Sequence, residues 1–440
     1  MKGKKKFDIV IEGGTLLTMI EGEEPISDAR IMISGDTIEE VSTRHKGPLP
    51  DTHELINAMD AIILPGLINS HGHTPMTLFR GMADDLPLKQ WLFNHIFPAE
   101  AQYINLDTVY WGSLLACLEM IASGTTTVVD SYFLADGIIK ATEKAGMRAI
   151  VAQGVIDLPA PGVPDPRENL DVALAFLERW IDFSNLITPG LFCHSPLTCS
   201  KETLRKAKDI SNRFNLPLQV HLSETHDEVT EIQKRTGLRP VMYLEDLSIL
   251  ESRVIAAHAI HLDEEEMDLL AKRRVRIAHC SESNMKLGSG IAPISTMLEK
   301  GLTVGLGTDG CASNNNLDLF GEMDAAAKLG KVASLDPTVL DARTVLRMVT
   351  AGGAKLVGVE AQVGTIEAGK KADIIVVDID APHMMPLYHP FSQIVYSATG
   401  GDVKDVIING EIVYRDRQFT TLNKDEIIKE VRRISQKIIT

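Results

Sequence analysis

Leu64-Pro65-Gly66-Leu67-Ile68-Asn69-Ser70-His71-Gly72-His73 decides the reading of this chain. A short apolar run bounded by proline and glycine reads as a buried strand. Residues i and i+2 of a strand leave on the same side, so His71 and His73 present two imidazoles together at the strand's C-terminal end. Two such nitrogens are a start on a metal site. Spacing alone is weak evidence: with 13 histidines in 440 residues, about 0.4 such pairs arise by chance. The rest of the chain must supply the other ligands.

From that strand onward, apolar runs alternate with helical patterns. Candidate strands are 66–69, 125–130, 148–152, 190–193, 218–220, 254–257, 276–278 and 303–306. Leu114, Leu115, Leu118 and Ile121 share one face of an intervening helix that Gly124 closes. Eight β/α units predict a TIM (β/α)8 barrel over residues 64–359. An open doubly wound sheet is disfavoured, because no GxGxxG follows the first strand. Both flanks read as strands. Phe7–Glu12, Thr15–Met19 and Ala29–Ile33 lie before the barrel; Ala372–Val377 and a hairpin about Asn409-Gly410 lie after it. Residues 1–63 and 360–440 are therefore expected to form one small β-sandwich domain, with a terminal helix over 424–440 capped by Asn423 and Glu426.

The barrel makes a demand: reactive groups should stand at the C-terminal ends of strands. In order these ends carry His71 and His73, then His194 on the fourth strand, His221, His258, His279, and Asp309 on the eighth. Any one of them could be an ordinary core histidine or a cap. Six of eight strands ending this way is a pattern. His71, His73, His221 and Asp309 supply the N and O ligands of one divalent metal, Zn2+ first and Fe2+ second, with no thiolate involved. Glu224, three residues past His221, can face the same cavity as a proton shuttle, or be a surface acid in a polar loop. Binuclear barrels bridge two metals with a modified lysine on the fourth strand; here Cys193-His194-Ser195 occupies that place, which argues for one metal.

The net charge of -16 argues against nucleic acid or an anionic membrane as partner. The five cysteines form no CxxC pair and suit free thiols in a reducing cytoplasm. The basic start Met1–Lys6 is not followed by a signal-peptide apolar block, and no run is long enough to span a bilayer.

These residues together resemble the amidohydrolase superfamily, and within it the 5'-methylthioadenosine/S-adenosylhomocysteine deaminases. The general pattern is Pro65 through His73, His221, His258 and Gly307-Thr308-Asp309-Gly310. The narrower pattern is Arg80 through Leu88 with Trp91, Phe97-Pro98-Ala99-Glu100, and Ala312-Ser313-Asn314-Asn315. The resemblance implies hydrolytic deamination of a 5'-modified adenosine by a homo-oligomeric enzyme. It implies that Glu224 protonates ring N1 and that Asp309, helped by His258, takes the proton of the attacking water. Glu100 accepts the ribose hydroxyls, and Trp91 walls the 5' substituent. Ser313, His194 and Arg167 complete the substrate-binding set, although Trp91 could be plain core, Glu100 a helix N-terminal acid and Arg167 a surface charge. The chain departs from the pattern twice. Gln153 stands where some members carry an arginine that meets the 5' tail from a neighbouring subunit, which leaves preference for a carboxylate-bearing tail open. The run His279 to Asn284 lacks a common proline. A guanine deaminase or s-triazine chlorohydrolase is the alternative activity. A non-catalytic binding barrel is the third reading, disfavoured by the intact ligand and shuttle set.

Overall fold

The computed structural model describes residues 6–439, so Met1–Lys5 of the basic start and Thr440 of the expected helix lie outside the described residues. Its centre is a sheet of eight parallel strands: β1 (Leu67–Gly72), β2 (Thr125–Tyr132), β3 (Arg148–Val155), β4 (Ile187–Cys193), β5 (Leu218–Leu222), β6 (Val254–His258), β7 (Arg276–His279) and β8 (Thr303–Leu306). Each strand pairs with the next in sequence, and a bridge between Gly72 and Asp309 brings β1 back beside the end of β8. This is the expected barrel. The closure needs Gly307. A Cβ there would lie 2.7 Å from the His71 amide nitrogen and 2.8 Å from its carbonyl oxygen, so only glycine lets the end of β8 approach β1 so closely.

The helices form for ordinary reasons. Leu106–Ala122 starts at an Asn105–Thr108 capping box, buries Leu114, Leu118 and Ile121, and is followed by Gly124 at φ +83°. Lys424–Ile439 is the terminal helix, and Glu426 N donates to Asn423 Oδ1 as its cap.

The opening stretch behaves differently from the single strand expected of it. It is two strands in two sheets. Ala61–Pro65 belongs to a seven-stranded sheet and Leu67–Gly72 to the barrel, with Gly66 alone between them. Ala61–Pro65 pairs antiparallel with Ile374–Asp378, with Ile63 opposite Val376, so one sheet joins both ends of the chain. Its residues alternate as a two-faced strand must. Ile63, Ile374 and Val376 pack with Ile9, Ile31 and Ile33 of the facing four-stranded sheet, while Ile62, Leu64, Ile375 and Val377 join the barrel's outer core. The Asn409-Gly410 turn joins Val403–Ile408 to Glu411–Arg415, with both turn residues at positive φ. Among the described residues no helix is long and apolar enough to cross a membrane.

Candidate active site

His71 lies inside β1 and His73 one residue beyond it, their ring centroids 4.8 Å apart. His221 on β5 brings its Nε2 to 3.2 Å from His71 Nε2. Asp309 Oδ1 lies 3.2 Å from His73 Nε2 and 3.7 Å from His71 Nε2. Ligand atoms of His71, His73 and His221 fall within 4.8 Å of one another, as do those of His71, His258 and Asp309. The four residues expected to share a metal do converge.

Their charge state suits a cation. Burial, reinforced by neighbouring imidazoles, holds His71 and His221 well below the usual histidine range, so both are neutral with a lone pair to give. Burial works against the Asp309 carboxylate, yet the hydrogen bond from His73 and the other imidazoles outweigh it and keep it ionised. The His73–Asp309 pair is held by a proton. A divalent cation would replace that proton and engage the bare nitrogens. The residues present therefore fit such an ion.

Around the cluster stand the proton-handling groups. His258 Nε2 is 3.8 Å from Glu224 Oε2, and burial pushes the Glu224 carboxyl up, toward a group that can donate a proton. Glu228 accepts from the backbone N–H groups of Ser223 and Glu224 at 3.2 and 2.7 Å, which fixes the turn that presents Glu224. Ser223, His258 and Asp309 all hold left-handed backbone, at φ +52°, +69° and +60°. Non-glycine residues adopt this conformation at a cost, and such strain clusters where function constrains geometry.

Several contacts were not foreseen. Asn284 Oδ1 accepts from His258 Nδ1 at 2.9 Å, which leaves His258 Nε2 facing the site and Glu224. Ser283 Oγ and Ser313 Oγ both donate to Asp309 Oδ2, at 2.6 and 2.9 Å. Ser313, expected among the substrate-binding residues, thus touches the Asp309 carboxylate. On β2, Thr74 N donates to Asp130 Oδ2 at 2.7 Å, and the Ser131 carbonyl accepts from His73 Nδ1 at 2.5 Å. Tyr132 Oη donates to Glu100 Oε1 at 2.5 Å. The signal that could have found them was positional: Ser131 and Tyr132 directly follow Asp130 at a strand end, and Ser283-Asn284 follow β7.

The remaining candidates divide. Trp91 and Glu100 are both buried on the excursion after β1, where a π-helical segment, Leu92–Ile96, lies between them. Burial pushes Glu100 up to about 7, against the pull of Tyr132. His194 Nδ1 bonds Thr198 Oγ1 at 2.9 Å, and its ring stands 5.1 Å from that of His221. His279 is buried at the end of β7, where burial pushes it down to about 3; it belongs to neither ligand group. Arg167 is not brought to the cluster: it is 88 % exposed and forked onto Asp165.

Residues 62–413 match the model of the amidohydrolase family. The chain belongs to this family. Amidohydrolase relatives include a 5-methylthioadenosine/S-adenosylhomocysteine deaminase of Syntrophus aciditrophicus, 44% identical over 435 residues, covering 99% of this chain and 98% of the relative. A 5'-deoxyadenosine deaminase of Methanocaldococcus jannaschii is 42% identical over 406 residues, with 91% and 94% covered. Among solved amidohydrolase structures, an adenosine deaminase from Xanthomonas campestris with bound zinc superposes with a TM-score of 0.96 at 35% identity, covering 99% of both chains.

Proposed function

We propose that this enzyme deaminates 5'-modified adenosines hydrolytically, giving the inosine analogue and ammonia. One observation carries the nucleoside reading beyond a generic amidohydrolase. Glu100 is a buried carboxyl with one oxygen taken by Tyr132. Its free oxygen is suited to accept from a vicinal diol by charge-assisted hydrogen bonds. A guanine or a triazine offers no such diol.

In this reading His71, His73, His221 and Asp309 hold one divalent ion, with Zn2+ the first choice for a three-imidazole, one-carboxylate set. When bound, that ion makes an attacking water acidic enough to lose a proton near neutral pH. The chain's own residues do the rest. Glu224 donates to ring N1, which draws electrons from C6. Asp309 takes the water's proton, with His258 held beside it by Asn284. The C6–O bond forms, the proton held by Asp309 passes to the exocyclic amine, the C6–N bond breaks and ammonia leaves, and the C6 hydroxyl proton returns to Glu224 as the carbonyl forms. Trp91 lines the apolar side, with His194 near the nucleoside.

The tail position favours small uncharged groups. Gln153 is buried with its amide spent on the backbone: Oε1 accepts from Ala135 N at 3.1 Å and Nε2 donates to Gly154 O at 3.2 Å. The test is ammonia release from adenosine, 5'-deoxyadenosine, 5'-methylthioadenosine and S-adenosylhomocysteine, ranked by kcat/KM. The methylthio and deoxy compounds should lead. S-adenosylhomocysteine in first place would overturn the tail assignment, and no release from any of the four would overturn the function.

A further inference from the structure

Beneath the imidazole cluster, His71 Nδ1 and Gln219 Nε2 are buried with no hydrogen-bond partner among the described residues. Gln219 sits on β5 two residues before His221, and is 1 % exposed. Alternation on the strand turns it to the same side as His221, one tier deeper in the barrel. Its Oε1 accepts from Ser131 Oγ at 2.5 Å. Its amide is also near enough to His71 to act on that ring as a hydrogen-bonding neighbour. Two adjacent orphans of this kind cost free energy unless they are each other's partners.

They are partners in one arrangement only. With His71 Nε2 facing His221 and Asp309, its proton belongs on Nδ1, and an amide nitrogen opposite would set donor against donor. Turning the Gln219 amide by half a revolution brings Oε1 to the His71 Nδ1–H and lets Nε2 donate to Ser131 Oγ. Both orphans are then satisfied, and Ser131 keeps its bond to the amide. We propose that Gln219, braced by Ser131, is the positioning residue that fixes the tautomer and ring plane of His71 for metal binding. Ser131 then serves both members of the His71/His73 pair: its carbonyl holds His73 directly, and its hydroxyl holds His71 through Gln219. The second hydrogen bond of a ligating imidazole sets which nitrogen is bare and how basic it is.

This inference rests on the metal reading of the cluster, and the experiment separates the two. Zinc dissociation constants are measured by competition with a chromophoric chelator for wild type, Gln219→Met and Gln219→Glu, alongside the melting temperature of each metal-free protein. Gln219→Met keeps the shape and loses the acceptor; it should bind zinc about 10- to 100-fold more weakly, with no loss of metal-free melting temperature. Gln219→Glu restores an acceptor and should recover most of the affinity. Wild-type affinity in Gln219→Met, or loss of affinity in both variants alike, would overturn the role of Gln219 while leaving the metal site standing. A wild-type protein that binds no zinc would overturn the metal reading and this role with it.

Discussion

At the N-terminal end of the barrel Arg148 forks onto Asp373, with bonds of 2.9 and 3.0 Å, and the backbone N–H of Asn409 adds a third at 2.8 Å. Both side chains are almost fully buried. Charge cancels charge, and the pair fastens β3 to the sheet that carries both chain ends. At the C-terminal end, His71, His73 and Asp309 are also buried and His221 is half-buried, yet two neutral imidazoles face each other and the His73–Asp309 pair needs a proton to hold. Burial alone does not mark a site. A buried polar cluster complete in itself is a fastener, and one left short of a cation is a receptor. The same division separates stability from chemistry in barrels generally, with active groups at the C-terminal strand ends.

The contrast can be broken by swapping the consequences of damage at the two ends. Asp309→Asn should lower kcat/KM by about 10⁴-fold while moving the metal-free melting temperature by no more than about 2 °C. Asp373→Ala should do the reverse. It strands a buried guanidinium at a cost of about 3–5 kcal/mol, yet leaves kcat/KM of the folded enzyme within about twofold. Denaturant melts and steady-state rates on both variants check the pair of outcomes; a catalytic collapse in Asp373→Ala would dissolve the distinction.

Glu100 tests the receptor side more finely. Its pKa is raised from 4.5 to about 7, chiefly by burial, and a carboxylate is the better acceptor for a diol. KM for the nucleoside should therefore fall as pH rises through about 7. The linkage runs the other way for stability. A raised carboxyl favours the folded state below the unfolded pKa, and that contribution is lost as pH rises through the folded one. Glu100→Gln should then be about 1–3 kcal/mol more stable than wild type at pH 8 and no different at pH 4, while raising KM about 10-fold. A KM unchanged by the substitution would remove the ribose assignment.

The barrel was legible because its signals are local. Each strand is an apolar run, many of the helices have a side-chain cap or a closing glycine, and the histidines announce themselves at strand ends. His71, His73, His221, His258 and Asp309 could be placed at strand ends by counting strands. What escaped depends on distance in sequence. Arg148 and Asp373 are 225 residues apart and nothing local pairs them. Ser131, Gln219 and Asn284 are common neutral residues whose role comes from what lies across the barrel. The left-handed backbone at His258 and Asp309 is imposed by tertiary contacts against residue preference. Pro65-Gly66 was visible as an interruption, but only the pairing of Ala61–Pro65 with Ile374–Asp378 shows that it separates two sheets. Arg167 matched a pattern in sequence, and the structure turns it to Asp165 and solvent.

The most direct test is a zinc titration of chelator-stripped enzyme, following ammonia release from 5'-methylthioadenosine together with bound metal. The receptor account predicts activity that starts near zero and rises to a sharp break at one zinc per chain, with no break in a His71→Ala/His221→Ala variant. Full activity in protein shown to hold no metal, or a break at two zinc ions per chain, would contradict it.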